Sequence, residues 1–168
     1  MIIESVLFFM PAKIANMCPG WAEQFGLPFG SRPVSGKWLG GNKTWAAYYI
    51  CPIGAILTIY IERWIGLSNG LLDYRRSDLW AIGLLFGLGA ALGDHAKSFV
   101  KRRLGVEPGR PFPPFDQVDF ALGALALVSP VVGWIGWPHV WRIFVTIMIV
   151  NPIGNYIGFR MSWRKTWW

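Results

Sequence analysis

The sequence predicts an all-α integral membrane protein, built as a bundle of five transmembrane helices. Only 15% of its 168 residues are charged and 54% are apolar, whereas a soluble domain carries about 25% charged residues. The apolar residues form five runs that approach the length of about 20 residues needed to cross a bilayer. Several of the 11 tryptophans stand at the ends of these runs, as in the aromatic belt of a membrane interface. We expect a single domain covering residues 1–168.

The five candidate spans follow one another with loops between them. The first, residues 2–16, is short and is broken by Pro11. The other four cover residues 45–65, 79–92, 118–137 and 141–159. A short span remains possible where the bilayer thins. We also expect the third helix to continue past Asp94 towards Arg103, because polar and apolar residues there separate onto two faces of a helix.

Basic residues are distributed unevenly over the connections. The first loop, the third loop and the C-terminal tail are rich in lysine and arginine, whereas the second loop has only Arg75 and Arg76, and the fourth has Arg142 beside it. Cytoplasmic connections collect basic residues, so we predict the N-terminus outside and the C-terminus in the cytoplasm of the cell membrane. Because the basic residues form no stripe with interleaved aromatics, we expect headgroup or phosphate partners and no nucleic acid.

The segment between the third and fourth spans concentrates charge. On a helix that continues to Arg103, one face presents a carboxylate, a hydroxyl and three cations. These side chains are Asp94, Lys97, Ser98, Lys101 and Arg102. Interfacial anchoring to anionic lipid is an alternative for the basic residues. It leaves Asp94 unexplained, since a carboxylate costs about 2.5–3.5 kcal/mol at mid-bilayer and helps little in such anchoring.

Two more carboxylates follow a proline-rich stretch. Three prolines within residues 111–114 hold the chain extended, and Asp116 then stands where a helix N-cap is expected, three residues before Asp119. Capping is the structural alternative for this pair. In either case both carboxylates lie on one face at the membrane surface. Together with Asp94 they offer three hard oxygen ligands beside lysine and arginine, which suits Mg²⁺ bridging phosphate oxygens.

A third patch, residues 40–45, precedes the second span. Glycines before a helix N-terminus, together with Lys43 and Thr44, are typical of an anion cradle. Asn42 interrupts the Gly-Lys-Thr run and no strand precedes it, which excludes a P-loop. Interfacial anchoring by Lys43 and Trp45 is the alternative interpretation.

These motifs resemble the signature of the phosphatidate cytidylyltransferase superfamily, and most closely its short archaeal branch, the CDP-archaeol synthases. The matching stretches are "KTW" at 43–45, "GDHAKSFVKRR" at 93–103 and "DQVDF" at 116–120. Asn16, shortly after Pro11, also fits this branch. The last span departs from the family, which often has a histidine near the position of Asn151.

The resemblance implies that CTP and a lipid phosphate give a CDP-lipid and pyrophosphate with Mg²⁺ as cofactor. In the archaeal branch the lipid is unsaturated archaetidic acid, a geranylgeranyl diether of glycerol phosphate. On this resemblance we expect Asp94 and Asp116 to bind the metal, with Asp119 as a third ligand or as a partner of the ligands. Lys101 and Arg102 would bind the triphosphate or stabilise the departing pyrophosphate. The further substrate contacts it implies are Lys43, Thr44, Ser98, Arg103, Asn16 and Gln117.

Three rival functions remain at the level of the sequence. The same transfer could act on a diacyl phosphatidic acid, because pocket shape decides the lipid. A small membrane adaptor would dock anionic lipid through the basic loop and would need no carboxylate trio. A transporter would favour inverted repeats, which the sequence does not display.

The two histidines are not needed for the transfer. A lipid phosphate is already an anion at neutral pH, so the reaction requires no general base. We therefore expect His95 and His139 to be structural.

Overall fold

The computed structural model describes residues 2–67, 70–107 and 110–160, without the side chains of residues 154, 155, 157 and 158. Its regular elements in this part of the chain are five α-helices. They are α1 (Ile2–Gln24), α2 (Ala47–Trp64), α3 (Leu79–Arg103), α4 (Phe115–Val132) and α5 (Trp137–Arg160). The prediction of an all-α fold is confirmed, and so is the continuation of the third helix to Arg103. The basic tail after residue 160 lies outside the described residues.

Three of the helices, α1, α3 and α4, are long and apolar enough to cross a membrane. Large apolar side chains are also exposed on the outside of the bundle, for example Trp64, which is 85% exposed, and Trp137, which is 73% exposed. An exposed apolar surface of this kind is typical of contact with lipid. The protein is therefore a multi-pass membrane protein, whereas membrane crossing by α2 and α5 stays a prediction.

The first helix is longer than predicted. It runs through Pro11 and Pro19 to Gln24 instead of ending near Asn16. A proline inside a helix costs about 3 kcal/mol in isolation, but neighbouring helices can compensate for the lost backbone hydrogen bond. One face of α1 provides that packing throughout its length. Its buried residues include Phe8, Phe9, Pro11, Ala12, Ala15, Cys18 and Ala22.

The connection between the last two helices lies earlier in the chain than expected. The fourth helix ends at Val132 rather than Trp137, and the fifth begins at Trp137 rather than Trp141. Gly133 and Gly136 have φ angles of 93° and 84°, a region that glycine enters without strain. The two glycines therefore make the turn, which hydrophobicity alone assigned to the fourth span.

Glycines bring the backbones of α3 and α4 into direct contact. A Cβ atom added to Gly93 would lie 2.2 Å from the carbonyl oxygen of Asp119, and one added to Gly123 would lie 2.1 Å from that of Gly89. Small residues allow membrane helices to approach this closely. Asp94 follows Gly93 directly, so the contact places the carboxylate-bearing parts of both helices side by side.

An aromatic cluster holds α1 against this helix pair. Phe8 and Phe86 meet edge to face with ring centroids 5.3 Å apart, and Phe9 lies 6.5 Å from Phe120. Phe8, Phe86 and Phe120 are fully buried. Aromatic pairs of this kind contribute about 0.5–1.5 kcal/mol beyond the burial of their surface. The cluster therefore supports α3 and α4 from the side of α1.

Candidate active site

The three carboxylates predicted from the sequence meet where α3 and α4 approach each other. Asp94 comes from α3, whereas Asp116 and Asp119 come from the first turns of α4. The ammonium of Lys97 lies between them, with Nζ 3.2 Å from Asp94 Oδ1, 3.1 Å from Asp116 Oδ1 and 2.7 Å from Asp119 Oδ2. These three carboxylates, called the acidic trio below, are thus all within reach of one cation.

Two more lysines contact the acidic trio from its edges. Lys43 Nζ lies 2.5 Å from Asp94 Oδ2, and Lys101 Nζ lies 3.4 Å from Asp116 Oδ1. Lys43 belongs to the loop between α1 and α2, so the third patch found in the sequence does join the other two. With Lys97 the cluster has three ammonium groups for three carboxylates, and its formal charge is balanced.

The cluster is buried on one side and open on the other. The side chain of Asp119 is only 4% exposed and that of Lys97 is 13% exposed, whereas Asp116 is 27% exposed. Charges withdrawn from water in this way must be paired, because an unpaired buried charge costs several kcal/mol. A polar ligand would therefore approach from the side of Asp94 and Asp116, and the interior side is closed by the packing of α3 on α4.

Asp116 does not cap α4, so the capping alternative is wrong for this residue. The fourth helix begins at Phe115 with Pro114 in the N-cap position, and no side chain caps it. Instead, one carboxylate oxygen of Asp116 accepts a hydrogen bond from the backbone N–H of Phe112. The helix therefore begins two residues earlier than an N-cap at Asp116 predicts. Asp116 Oδ1 is left facing Lys97 and Lys101.

Several predicted site residues are engaged in local structure. Ser98 Oγ donates to the carbonyl oxygen of Asp94 at 2.9 Å. The guanidinium of Arg102 donates to the carbonyl oxygen of Val106, just beyond the end of α3. Lys101, in contrast, both contacts the acidic trio and donates to the carbonyl oxygen of Arg110 at 2.5 Å. The shared helical face predicted from the sequence therefore divides into residues that reach the acids and residues that hold the backbone.

Arg103 is part of an aromatic stack outside the acidic trio. Its guanidinium carbon lies 4.4 Å from the ring centroid of Trp38 and 5.0 Å from that of Phe99. The two rings are themselves stacked, with centroids 5.9 Å apart. The stack joins the loop that carries Lys43 to the end of α3.

The remaining predicted substrate contacts lie on three different elements. Thr44 is buried and pairs with Pro33 in an isolated β-bridge, three residues before α2 begins. Gln117 accepts a hydrogen bond at its backbone oxygen from Asn151 Nδ2 at 3.2 Å. Asn16 is half-buried on α1. Lys43 and Thr44 thus lie in a loop segment that pairs with residues 33 and 34, and the anion cradle expected before α2 stays a prediction.

Two residues near the site were given no individual role from the sequence. Lys97 was placed on the correct helix face but was not expected between the three carboxylates. Its spacing of three residues from Asp94, which permits an ion pair on a helix, could have indicated this contact. Lys13, on α1, donates to Asn151 Oδ1 and lies 5.8 Å from the ring centroid of Phe120. No local pattern marked Lys13, because its partners come from α4 and α5.

The two histidines lie in local contacts. His95 Nδ1 is 2.6 Å from the carbonyl oxygen of Ala91, and its ring stacks on Tyr48 with centroids 5.1 Å apart. His139 Nδ1 is 3.0 Å from Ser5 Oγ, in the part of the bundle where α1 and α5 begin. Neither contact involves a carboxylate of the acidic trio.

The donor set of the acidic trio fits a hard divalent cation in its chemistry. Three carboxylates converge on a single cationic position, and Mg²⁺ prefers oxygen ligands of this kind at about 2.0–2.1 Å. Within the described part of the chain, no group of three or more His, Cys, Asp or Glu side chains is arranged as a metal site as it stands. Lys97 Nζ lies at the centre of the acidic trio, in the position that a metal ion would take.

Comparison with known proteins extends over the whole chain. A family model described as CarS-like, CDP-archaeol synthase, matches residues 1–168. The CDP-archaeol synthase of Methanopyrus kandleri is 36% identical over 170 residues, covering 98% of this chain and 92% of that protein. The CDP-archaeol synthase of Methanocaldococcus jannaschii is 31% identical over 183 residues, covering 100% and 98%. A solved structure of an intramembrane enzyme for archaeal membrane lipid biosynthesis superposes with a TM-score of 0.74 at 30% identity, covering 92% of this chain and 94% of that one.

Proposed function

The chain belongs to the CarS-like family of CDP-archaeol synthases, and from this premise we propose that it transfers the cytidylyl group of CTP to an archaeal lipid phosphate. The lipid is unsaturated archaetidic acid, and the products are CDP-archaeol and pyrophosphate. The enzyme is a nucleotidyltransferase of membrane phospholipid biosynthesis.

One observation carries this proposal, namely the convergence of the acidic trio with three lysines. A nucleoside triphosphate brings several negative charges into the site, and its transfer is catalysed mainly by positioning and charge neutralisation. Lys43, Lys97 and Lys101 lie within 3.4 Å of the carboxylates. The cluster therefore combines a place for a hard cation with cationic side chains for phosphate oxygens.

The transfer is a substitution at the α-phosphorus of CTP. A phosphate oxygen of the lipid forms a new bond to this phosphorus, while the bond to the oxygen that bridges to the β-phosphate breaks. The electron pair of the broken bond leaves on pyrophosphate. A phosphate monoester loses its second proton at a pKa of about 6, so the attacking oxygen is already an anion at neutral pH. The protein thus needs no general base, and the local contacts of His95 and His139 are compatible with this chemistry.

We propose different roles for the acidic and basic residues of the cluster. Asp94, Asp116 and Asp119 would hold Mg²⁺, which when bound neutralises charge on the phosphate oxygens. Lys43 and Lys101 would bind the triphosphate and stabilise the departing pyrophosphate, since both already stand at the edge of the trio. Further substrate contacts are proposed for six residues around this centre. They are Asn16, Thr44, Ser98, Arg102, Arg103 and Gln117.

We place the active site on the cytoplasmic face of the cell membrane. The loops on either side of the cluster, residues 25–46 and 104–114, carry basic residues, as cytoplasmic connections do. This orientation gives the site access to cytoplasmic CTP and to the lipid in the inner leaflet. A reporter fused into the loop between α3 and α4 that scores as external would contradict it.

A single assay tests the function and the lipid together. Purified enzyme with Mg²⁺ and labelled CTP is offered the geranylgeranyl diether of glycerol phosphate and a diacyl phosphatidic acid in parallel. We expect a CDP-lipid from the diether with release of pyrophosphate. Product from the diacyl lipid alone would contradict the archaeal substrate, and product from neither lipid would contradict the enzymatic function.

A further inference from the structure

We propose that Lys97 is an internal counterion of the acidic trio, and that it exchanges with the catalytic divalent cation at the same position. The identity of that cation rests on the proposed function. In this view the metal does not enter an open site; it displaces the Lys97 ammonium from the three carboxylates.

The position of Lys97 supports such an exchange. Its Nζ is within 3.2 Å of one oxygen from each of the three carboxylates. Within the described residues, Asp119 forms its ion pair with Lys97 alone. A single ammonium therefore uses the same three donors that a hard cation would use. A metal ligated by these oxygens at about 2.0–2.1 Å and an ammonium at the centre exclude each other.

Lys97 is also able to move without disrupting the helices. The contact between α3 and α4 is made by backbone atoms at Gly89, Gly93 and Gly123, so it does not depend on the lysine. The flexible four-carbon stem of a lysine allows its ammonium to shift while the backbone stays helical. A lysine that only tied α3 to α4 would, in contrast, remain in place when metal binds.

Amine labelling of the full-length protein distinguishes these two roles. The protein is kept in detergent without nucleotide and is treated with a small amine-reactive reagent, either with a chelator or with saturating Mn²⁺. The modification of each lysine is then measured by mass spectrometry. We expect Lys97 to be protected in chelator and to react about tenfold faster with Mn²⁺, within the range of coupling between two linked ligands. Lys37, which is exposed, serves as the control that should not change. Equal protection of Lys97 in both conditions would overturn the exchange.

The affinity for Mn²⁺, measured by electron paramagnetic resonance without CTP, provides a second test. Lys97→Met removes the charge at similar length, and we expect it to bind Mn²⁺ about tenfold more tightly than the wild type because the competing cation is gone. Lys97→Arg keeps a cation and should show no such gain, and Lys37→Met should behave like the wild type. If neither the wild type nor Lys97→Met binds Mn²⁺, or if Lys97→Met binds it no more tightly, the proposal is wrong. Should Lys97→Met fail to fold, labelling of the wild type decides.

The assay for CDP-lipid formation separates this proposal from the function on which it rests. Turnover by the wild type together with a permanently protected Lys97 would contradict the exchange alone. Metal-dependent exposure of Lys97 without any CDP-lipid product would contradict the cytidylyltransferase function and leave the exchange intact.

Discussion

Replacing Gly93 with alanine should separate the two helices that form the acidic trio. The added Cβ would lie 2.2 Å from the carbonyl oxygen of Asp119, whereas a carbon and a carbonyl oxygen normally approach to about 3.3–3.6 Å. Because the obstructing atom belongs to the backbone, no side chain can rotate away. The α4 backbone must therefore move by about 1 Å at the residue that carries one of the three carboxylates.

The expected loss of activity follows from this displacement. A misplacement of about 1 Å at a catalytic group can lower the rate by about 100-fold. The cost in stability should be smaller, since overpacking costs about 1–3 kcal/mol and the better helix propensity of alanine offsets up to about 1 kcal/mol of it. We expect Gly93→Ala to remain folded and membrane-inserted, with kcat/KM for CTP reduced by about two orders of magnitude.

Gly20→Ala is the matched control for this experiment. Gly20 also lies within a helix, but nothing stands within 4 Å of the position that its Cβ would take. Turnover of CTP and thermal unfolding in detergent would be compared for the two variants. Wild-type turnover in Gly93→Ala would refute the claim that backbone contact between α3 and α4 sets the geometry of the acidic trio.

Three further predictions concern the site directly. Asp94→Ala and Asp116→Ala should each lower turnover by about 100-fold, which corresponds to about 2.7 kcal/mol of transition-state stabilisation; Asp73→Ala, in the exposed second loop, is the control that should retain activity. Removal of divalent cations with a chelator should abolish CDP-lipid formation, and added Mg²⁺ should restore it; activity that persists in chelator would contradict the metal requirement. Trp38→Ala should raise KM for CTP about two- to fivefold with little change in kcat, because the stack of Trp38 with Arg103 contributes about 0.5–1 kcal/mol at an exposed site and positions the Lys43 loop. An unchanged KM would contradict this positioning role.

The sequence predicted those parts of the candidate site that depend on helical periodicity within one segment. The continuation of α3 to Arg103 follows from the helical separation of polar and apolar residues, and this continuation places Asp94 and Lys101 on one face. The two acidic motifs then place one carboxylate on α3 and two in the first turns of α4. These features could be predicted because they depend on spacing within one segment.

Other features depend on contacts between segments and could not be predicted in the same way. The first helix continues through Pro11 because neighbouring helices bury the face that surrounds it. Arg102 lies on the predicted face, yet its guanidinium bonds to the carbonyl oxygen of Val106, which only the loop conformation brings near. A helical wheel predicts only the direction in which a side chain leaves the helix axis. Long side chains such as arginine and lysine can reach several different partners from the same direction.

The central position of Lys97 has a physical reason that links the fold to the chemistry. Its contacts of 3.2 Å and 3.1 Å with Asp94 and Asp116 place those two oxygens within about 6 Å of each other, where like charges repel by about 3 kcal/mol at an effective dielectric constant of 20. Asp119 adds further repulsion from a position that is almost fully buried. Because glycine contacts fix the two helices together, the carboxylates cannot relax by moving apart, and a cation between them lowers their repulsion. A lysine at this position neutralises part of the trio's charge while no metal is bound, and it leaves the same donors in place for a divalent cation.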